Sequence, residues 1–349
     1  MRNIFITTYD GEWKGPAEVL RDRLGYEILE LHGKEYGNFP TKGELLQKEL
    51  GNSRNLFRNR RKIDGAGTVI CSNYCALVLL LMKKLHLISF ERLLWFGVYV
   101  HRPKMIEVCR RLIHFALPKE ELAAAGKDVR FKVVVFSRPE VELYEKGFAL
   151  NKDHFLYVPY GEWNPDKKLE DGGDEGYFFS GGYANRDFVA LAQLFQNRPW
   201  KLVIAASKAN TDFVSYCESH ELSDNIMVYW DIPAAQFNRL LRFSHAVMLV
   251  MKYNTGASGQ VVLLTALEHE KLIIASYTDV VDEYVQNERT GLILQDKSPE
   301  ALETVMERVN DPAEKEHMLQ LARAGRQHYE NTFSYQAIAD YLVREVQQN

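Results

Sequence analysis

Two loops in this chain pair glycine with the polar groups that an anion needs. Ser180-Gly181-Gly182-Tyr183-Ala184-Asn185-Arg186-Asp187 lies between a strand-like run and a helix-like run. Glycines let backbone approach a ligand closely, and the N–H groups of a starting helix favour negative charge. Arg186 adds a planar fork of donors that matches a phosphate. The other reading is an ordinary strand-to-helix turn with a surface arginine. Further on, Asn254-Thr255-Gly256-Ala257-Ser258-Gly259-Gln260 again follows a strand-like run and enters a helix-like one, Val261–Glu268. Thr255, Ser258 and the N–H groups of Gly259 and Gln260 form a small polar nest suited to a diphosphate or to sugar hydroxyls. A helix cap by Ser258 explains the same residues without a ligand. The first of these loops is neither a Walker A sequence nor a Rossmann glycine fingerprint.

In the first half, Gly11-Glu12-Trp13-Lys14-Gly15-Pro16 follows the first strand-like run. Gly11 and Gly15 permit close approach, and Lys14 suits an anion, although a glycine-containing surface turn reads equally well. Asn73 and Tyr74 follow the run Gly67–Cys71, and His101 and Arg102 follow Leu93–Val100. Lys208 follows Lys201–Ala206 and is either a flank of the same diphosphate or an exposed lysine.

These loops need a scaffold that brings them to one edge. The first half alternates strand-like runs (Asn3–Thr8, Tyr26–Leu31, Gly67–Cys71, Leu93–Val100, Phe131–Ser137, Phe155–Pro159) with helical stretches, one of them from about Tyr74 to Leu87. Residues 162–176 are polar and glycine-rich and read as a linker. A second alternating series follows: Tyr177–Ser180, Lys201–Ala206, Ile226–Tyr229, Ala246–Val250, Leu272–Ala275 and Gly291–Leu294. Its helices begin near Arg186, Thr211, Pro233, Gly259, Asp282 and Pro299. Such alternation predicts an α/β chain with two doubly wound, Rossmann-like domains facing across a cleft. The expected division is residues 1–162, a linker at 163–176, a second domain at 177–330 and a C-terminal helix at 331–349 that crosses back to the first domain.

Composition narrows the classes. With 46% hydrophobic and 26% charged residues, a length of 349 suits two soluble globular domains. The opening residues read as a buried strand, too short for the apolar region of a signal peptide, and no apolar run reaches membrane-spanning length. Cys71, Cys75, Cys109 and Cys217 show neither metal-ligand spacing nor the density of a disulfide scaffold. No Asp-x-Asp triplet or His/Cys/Asp cluster suggests a metal. A cytoplasmic protein is expected.

A resemblance now becomes visible in the second half. Ser258-Gly259-Gln260-Val261-Val262-Leu263-Leu264-Thr265-Ala266-Leu267, followed by Lys271–Ser276, is similar to the signature helix and strand of retaining, family 4-like GT-B glycosyltransferases (glycosyl transferases group 1). Glu283-Tyr284-Val285 through Thr290–Ile293 resembles the family's next block. His328–Tyr335 resembles its final helices, and Val158-Pro159-Tyr160-Gly161 the end of its first domain. The likeness runs in order over most of residues 155–345. Residues 1–154 share only the layout of strands and helices. One departure is clear: the family's two glutamates, with seven residues between them, are replaced here by Ala257 and Thr265.

The resemblance implies transfer of a sugar from a UDP- or GDP-type nucleotide sugar, with retention, without a metal and without a cofactor. It implies a donor site of Gly11, Lys14, Gly15, Gly181, Gly182, Tyr183, Arg186, Lys208, Ser258, Gly259, Gln260, Thr265 and Glu283. His101, Arg186 and Gln260 would act in catalysis, and Asn73, Tyr74 and Arg102 would face the acceptor. A catalytically silent nucleotide-sugar or glycan-binding homologue, or a sugar-nucleotide epimerase, is the alternative.

Charge suggests where the acceptor lives. Residues 1–164 hold 26 Lys/Arg and 20 Asp/Glu, whereas residues 165–349 hold 17 and 27. Arg54–Lys62 is strongly basic, and Arg92–Phe96 and Arg102–Leu117 mix cations with large apolar groups. That mixture suits an anionic membrane surface as partner and a glycan or polyprenyl-diphosphate-linked acceptor, although a solvated basic face over ordinary core helices reads equally well. The setting would be bacterial surface-polysaccharide or glycolipid synthesis, on the inner face of the cell membrane. No nucleic-acid reader motif accompanies the basic run, so nucleic acid is not an expected partner.

Overall fold

The computed structural model describes residues 1–8, 13–31, 42–72, 74–98, 100, 102–183, 185–254 and 258–348. The chain divides into two compact units: Met1–Pro165 with Tyr335–Asn349, and Asp166–Ser334.

Six strands build the sheet of unit 1: β1 (Ile4–Thr8), β2 (Glu27–Leu31), β3 (Ala66–Ser72), β4 (Phe90–Phe96), β5 (Phe131–Val135) and β6 (Phe155–Tyr157). All pair in parallel, in the order β2-β1-β3-β4-β5-β6. β1 and β5 are buried at every position, as expected for parallel strands covered on both faces. The helices are α1 (Lys14–Leu24), α2 (Lys42–Arg58), α3 (Arg60–Ile63), α4 (Cys75–Lys84), α5 (Pro103–Ala116), α6 (Lys119–Leu122) and α7 (Arg138–Phe148). α5 starts with proline at its first position, where the missing N–H costs nothing. α7 starts with a Ser137/Glu140 capping box.

One face of this sheet packs under α2, α4, α5 and α7, around Trp95, Tyr144 and Phe148. The other packs Trp13, Phe5, Phe96 and Phe136 under α1 and the last helix, α15 (Tyr335–Gln348). α15 lies on α1, with Ala339 and Leu342 buried and Asp340 paired with Arg23. Each large side chain so buried stabilises the unit by roughly 1.5–3 kcal/mol.

Unit 2 repeats the plan. Its strands are β7 (Tyr177–Gly182), β8 (Lys201–Ala206), β9 (Ile226–Trp230), β10 (Ala246–Leu249), β11 (Leu272–Ser276) and β12 (Leu292–Leu294), all parallel, in the order β12-β11-β10-β7-β8-β9. Its helices are α8 (Phe188–Phe195), α9 (Thr211–Ser219), α10 (Ala234–Arg242), α11 (Gln260–Glu268), α12 (Val281–Tyr284), α13 (Pro299–Val309) and α14 (Lys315–Thr332). α8, α9 and α13 bury Phe188, Phe195, Phe213 and Met306 on one face of the sheet. α14 crosses α11 closely at Gly325, where an added Cβ would meet Leu267 and the Thr290 carbonyl at 3.0 Å.

Three expectations need correction. The fourth strand ends at Phe96, not Val100, because Gly97 takes a left-handed φ of 67° and its missing Cβ makes room for the Trp13 ring. Within that strand Leu93–Phe96 are buried, so this run faces the core and not a membrane. The proposed linker, 163–176, is no free tether. Trp163 packs in unit 1, whereas Asp166–Gly176 is fastened to unit 2. Lys167 pairs with Glu268 at 2.7 Å, Arg242 donates to the Asp171 carbonyl, Lys271 to the Gly173 carbonyl, and His245 pairs with Asp174. Gly172 is close-packed too, its absent Cβ only 3.0 Å from the Arg242 carbonyl. The chain passes from unit 2 back to unit 1 between Ser334 and Tyr335, later than the expected position 331.

Candidate functional site

β7 and β10 are neighbours at the centre of the unit 2 sheet, and the order of strands reverses between them. Ligands of open α/β sheets bind beyond the carboxyl ends of strands at such a reversal. Both glycine loops singled out above leave from these two strands. The sheet order therefore brings together what lies some 75 positions apart in sequence.

Asn185 and Arg186 join the loops. Asn185 sits at φ 55°, a conformation that asparagine tolerates better than most residues. Its Oδ1 accepts from the Tyr253 N–H at 2.9 Å, and its Nδ2 donates to the Tyr253 carbonyl at 2.8 Å and to Ser258 Oγ at 3.2 Å. Its carbonyl accepts from the Lys252 N–H. Arg186 is 4% exposed. Its Nε donates to the Gly181 carbonyl at 3.0 Å, and one terminal nitrogen lies 3.1 Å from Met251 Sδ. A Cβ on Gly182 would lie 3.0 Å from the Arg186 guanidinium, and one on Gly259 3.5 Å from it. Both glycines have positive φ, 136° and 95°. The guanidinium is thus bracketed by two positions where only glycine fits. Burial pushes its pKa down to about 10, so it remains charged at neutral pH.

Gly259 is the N-cap of α11, and among the described residues no side chain caps that helix end. Ser258 accepts from Asn185, so the capping reading of Ser258 does not hold. Gln260 Nε2 donates to the Tyr284 hydroxyl at 2.9 Å, and the Tyr284 ring is buried and stacked on Phe333 at 4.7 Å. Glu283 is half-buried beside Tyr284 on α12. Thr265 is half-buried and returns its hydroxyl to the Val261 carbonyl, one turn back on its own helix. Glu268 is turned away from the loops, onto Lys167 and the Tyr329 hydroxyl.

The remaining donor-side residues divide. Gly181 is glycine because a Cβ would strike Phe237 and Phe179, so packing rather than ligand approach requires it. Tyr183 is exposed at the end of β7. Lys208 is exposed, and its backbone N–H donates to Asp231, whose other oxygen accepts from Ser207. Gly182, Tyr183, Ala206, Asp231, Ile232 and Phe237 line a small concavity at the ends of β7, β8 and β9.

In unit 1, Lys14, Tyr74 and Arg102 follow β1, β3 and β4 at the carboxyl edge of one sheet. Tyr74 is half-buried, which pushes its phenol up, while the Arg102 charge opposes that shift. Lys14 is exposed and reaches Glu18 at 3.8 Å. Gly15 does not offer space to a ligand: a Cβ there would lie 2.0 Å from the Trp163 carbonyl oxygen. Gly11, Asn73, His101, Thr255, Gly256 and Ala257 lie outside the described residues. Among the described residues no group of His, Cys, Asp and Glu is arranged to hold a metal.

Sequence reading did not single out Asn185, Met251, Tyr284 or Phe237. The one local signal was an asparagine beside Arg186 in a glycine turn. Tyr284 lies within the stretch that resembles the family, but it is the contact with Gln260 that gives it a role.

Residues 186–328 match the family model of glycosyl transferases group 1. The second unit carries a glycosyl transferases group 1 domain. The whole chain has the GT-B fold, and solved structures share it at low identity. Sucrose-phosphate synthase from Thermosynechococcus elongatus is 13% identical with a TM-score of 0.69, covering 100% of this chain and 99% of that one. Anabaena HepE, solved with UDP and glucose, is 9% identical with a TM-score of 0.64 over 100% of both chains. A glycosyltransferase from Rickettsia africae is 14% identical with a TM-score of 0.66, covering 99% and 98%. No curated protein matches the sequence. Within the group 1 domain, the family match begins at Arg186 itself and takes in the whole of α11 and α12.

The contact between Gln260 and Tyr284 gives a first test. Gln260→Ala is expected to weaken binding of a nucleotide sugar by about 1 kcal/mol or more while costing less in folding, because the residue opens a helix that has no side-chain cap among the described residues and is only half-buried. Calorimetric affinity and urea unfolding, measured on Gln260→Ala and Tyr284→Phe, make the comparison. Equal losses in the two measurements would make the contact structural.

Proposed function

We propose that this chain is a sugar transferase that takes its donor as a UDP-linked sugar and passes the sugar, with retention, to a glycan or polyprenyl-diphosphate-linked acceptor in surface-polysaccharide or glycolipid synthesis. The observation that carries this reading is the buried, charged Arg186 bracketed by Gly182 and Gly259 where the strand order of the group 1 domain reverses. A nucleoside diphosphate gains negative charge as it leaves an anomeric carbon. A fixed guanidinium and the N–H groups at a helix start meet that charge without reorganising. Gln260, Thr265 and Glu283 suit hydroxyls of sugar and ribose. UDP is favoured because HepE was solved with it.

A thermal-shift series over UDP, GDP, ADP and their sugars tests the donor. UDP should raise the midpoint, as ligand binding to the native state must. A shift with GDP alone would replace UDP by GDP, and no shift with any of them would remove the donor reading. Turnover of the shifting sugar, followed with and without lipid-linked acceptor, separates a transferase from a silent binder, which turns over neither. An epimerase converts the donor without acceptor.

A further inference from the structure

The two faces of unit 1 differ in a way that the donor reading does not use. Apart from Met1, every large apolar side chain that unit 1 exposes among its described residues lies on one layer: Leu50 and Phe57 of α2, Leu85 and Leu87 after α4, Met105, Val108 and Phe115 of α5, and Leu143 of α7. Helices α1 and α15 on the opposite face expose none. Charge follows the same division. Helices α2, α3, α4, α5 and α7 carry 14 Lys/Arg and 6 Asp/Glu, whereas α1 and α15 together carry 4 of each.

α5 is the centre of the layer, between α4 and α7. Its buried stripe is Ile106, Cys109, Ile113 and Ala116. Beside it runs a second apolar stripe, Met105, Val108, Leu112 and Phe115, at spacings that keep it on one side of a helix. Phe115 is 61% exposed and Val108 46%. Lys104 and Arg111 flank this stripe, and Arg60, Arg61 and Lys62 of α3 lie in the same layer. Glu107 pairs with both Arg110 and Arg111, which fixes two guanidinium groups on the helix surface.

We infer that this layer docks on an anionic lipid bilayer, with the outer stripe of α5 entering the headgroup region and the cations of α3 and α5 meeting lipid phosphate. Apolar groups ringed by cations match a surface that is apolar inside and anionic outside. A soluble acidic protein would meet the cations but leave Phe115 and Val108 without a comparable partner. No helix among the described residues is long and apolar enough to cross a membrane, so the contact is peripheral. The inference extends the reading of a lipid-linked acceptor but does not use the donor site, so the two can fail separately.

Co-sedimentation with vesicles tests it, using phosphatidylcholine with and without roughly 30% phosphatidylglycerol. The chain should bind only the anionic vesicles and lose binding as salt rises, because exposed charges are screened beyond about 8–10 Å. Val108→Glu with Phe115→Glu, and separately Arg60→Glu with Arg61→Glu, should each weaken vesicle binding by about tenfold or more. These side chains lie outside the core, so melting temperature and UDP affinity should hold. Absence of binding at low salt, or binding unchanged in both double variants, would overturn the inference. So would a concentration-dependent dimer that Val108→Glu with Phe115→Glu abolishes while wild-type chain ignores the vesicles, since the face would then serve a second copy.

Discussion

Arg186→Met is expected to weaken UDP binding by about 1.5–3 kcal/mol, roughly 10- to 150-fold, and to leave the fold as stable as before. The two halves of this result have one cause. Arg186 is 4% exposed, and burial alone lowers its pKa from 12.5 to about 10. Holding the charge there costs on the order of 3 kcal/mol, by the usual equivalence of pKa and free energy. Replacing a buried charge by an apolar side chain of similar length is often neutral or stabilising. A methionine side chain at this position would keep the packing against Met251 and lose the donation to the Gly181 carbonyl, worth about 1 kcal/mol. A chain that tolerates this cost has a use for the charge, and the bracketing by Gly182 and Gly259 points to an anion as that use. Calorimetry with UDP and urea unfolding on the same preparations decide. If stability falls by as much as affinity, Arg186 is a strut between two loops. If affinity is unchanged, it is outside the site.

Gly15→Ala is expected to lower the stability of unit 1 by about 2–3 kcal/mol or more while leaving UDP affinity unchanged. The added methyl would fall 2.0 Å from the Trp163 carbonyl oxygen, and its neighbours there are the Trp163 carbonyl carbon and Cβ. Backbone cannot rotate away as a long side chain can. Either α1 or the 160–163 segment must shift, and both rest on the core of Trp13, Phe96 and Phe136. The control is Gly43→Ala on α2, where no atom lies within 4 Å of the added carbon and a slight gain is expected. Denaturant unfolding followed by far-ultraviolet circular dichroism measures both. A stable Gly15→Ala chain that has lost UDP binding would return Gly15 to the ligand, as its sequence context suggested.

Gly15 also shows what a sequence leaves open. Glycine in a loop after a first strand signals close approach, but not of what. Here the approaching atoms are the chain's own backbone, from a residue almost 150 positions away. Gly181 is similar, its space taken by Phe237. Gly182 and Gly259 signalled in the same way, and they do frame the candidate anion site. Residue type is identical in all four cases, and only the packing distinguishes them. The polar stretch 166–176 makes the same point. Its composition reads as free linker, yet Lys167, Arg242, His245 and Lys271 hold it to one unit.

By itself the sequence determined the two α/β units, nearly every strand of the second, and the two glycine loops that leave β7 and β10. It could do so because these are local properties. Apolar runs of strand length, helix starts and glycine turns are written in neighbouring residues. Tertiary structure decided the rest: that β7 and β10 lie side by side, that Asn185 ties their loops, that Arg186 is buried between two glycines, and that Gln260 meets Tyr284. It also sorted the apolar residues near cations, sending Leu93–Phe96 to the core and Val108 and Phe115 to the surface. The physical reason is that a side chain's partner across a parallel sheet, or the face of a helix left uncovered, depends on strand order and helix packing. Those are set by the whole chain's burial of apolar surface, not by any stretch of it.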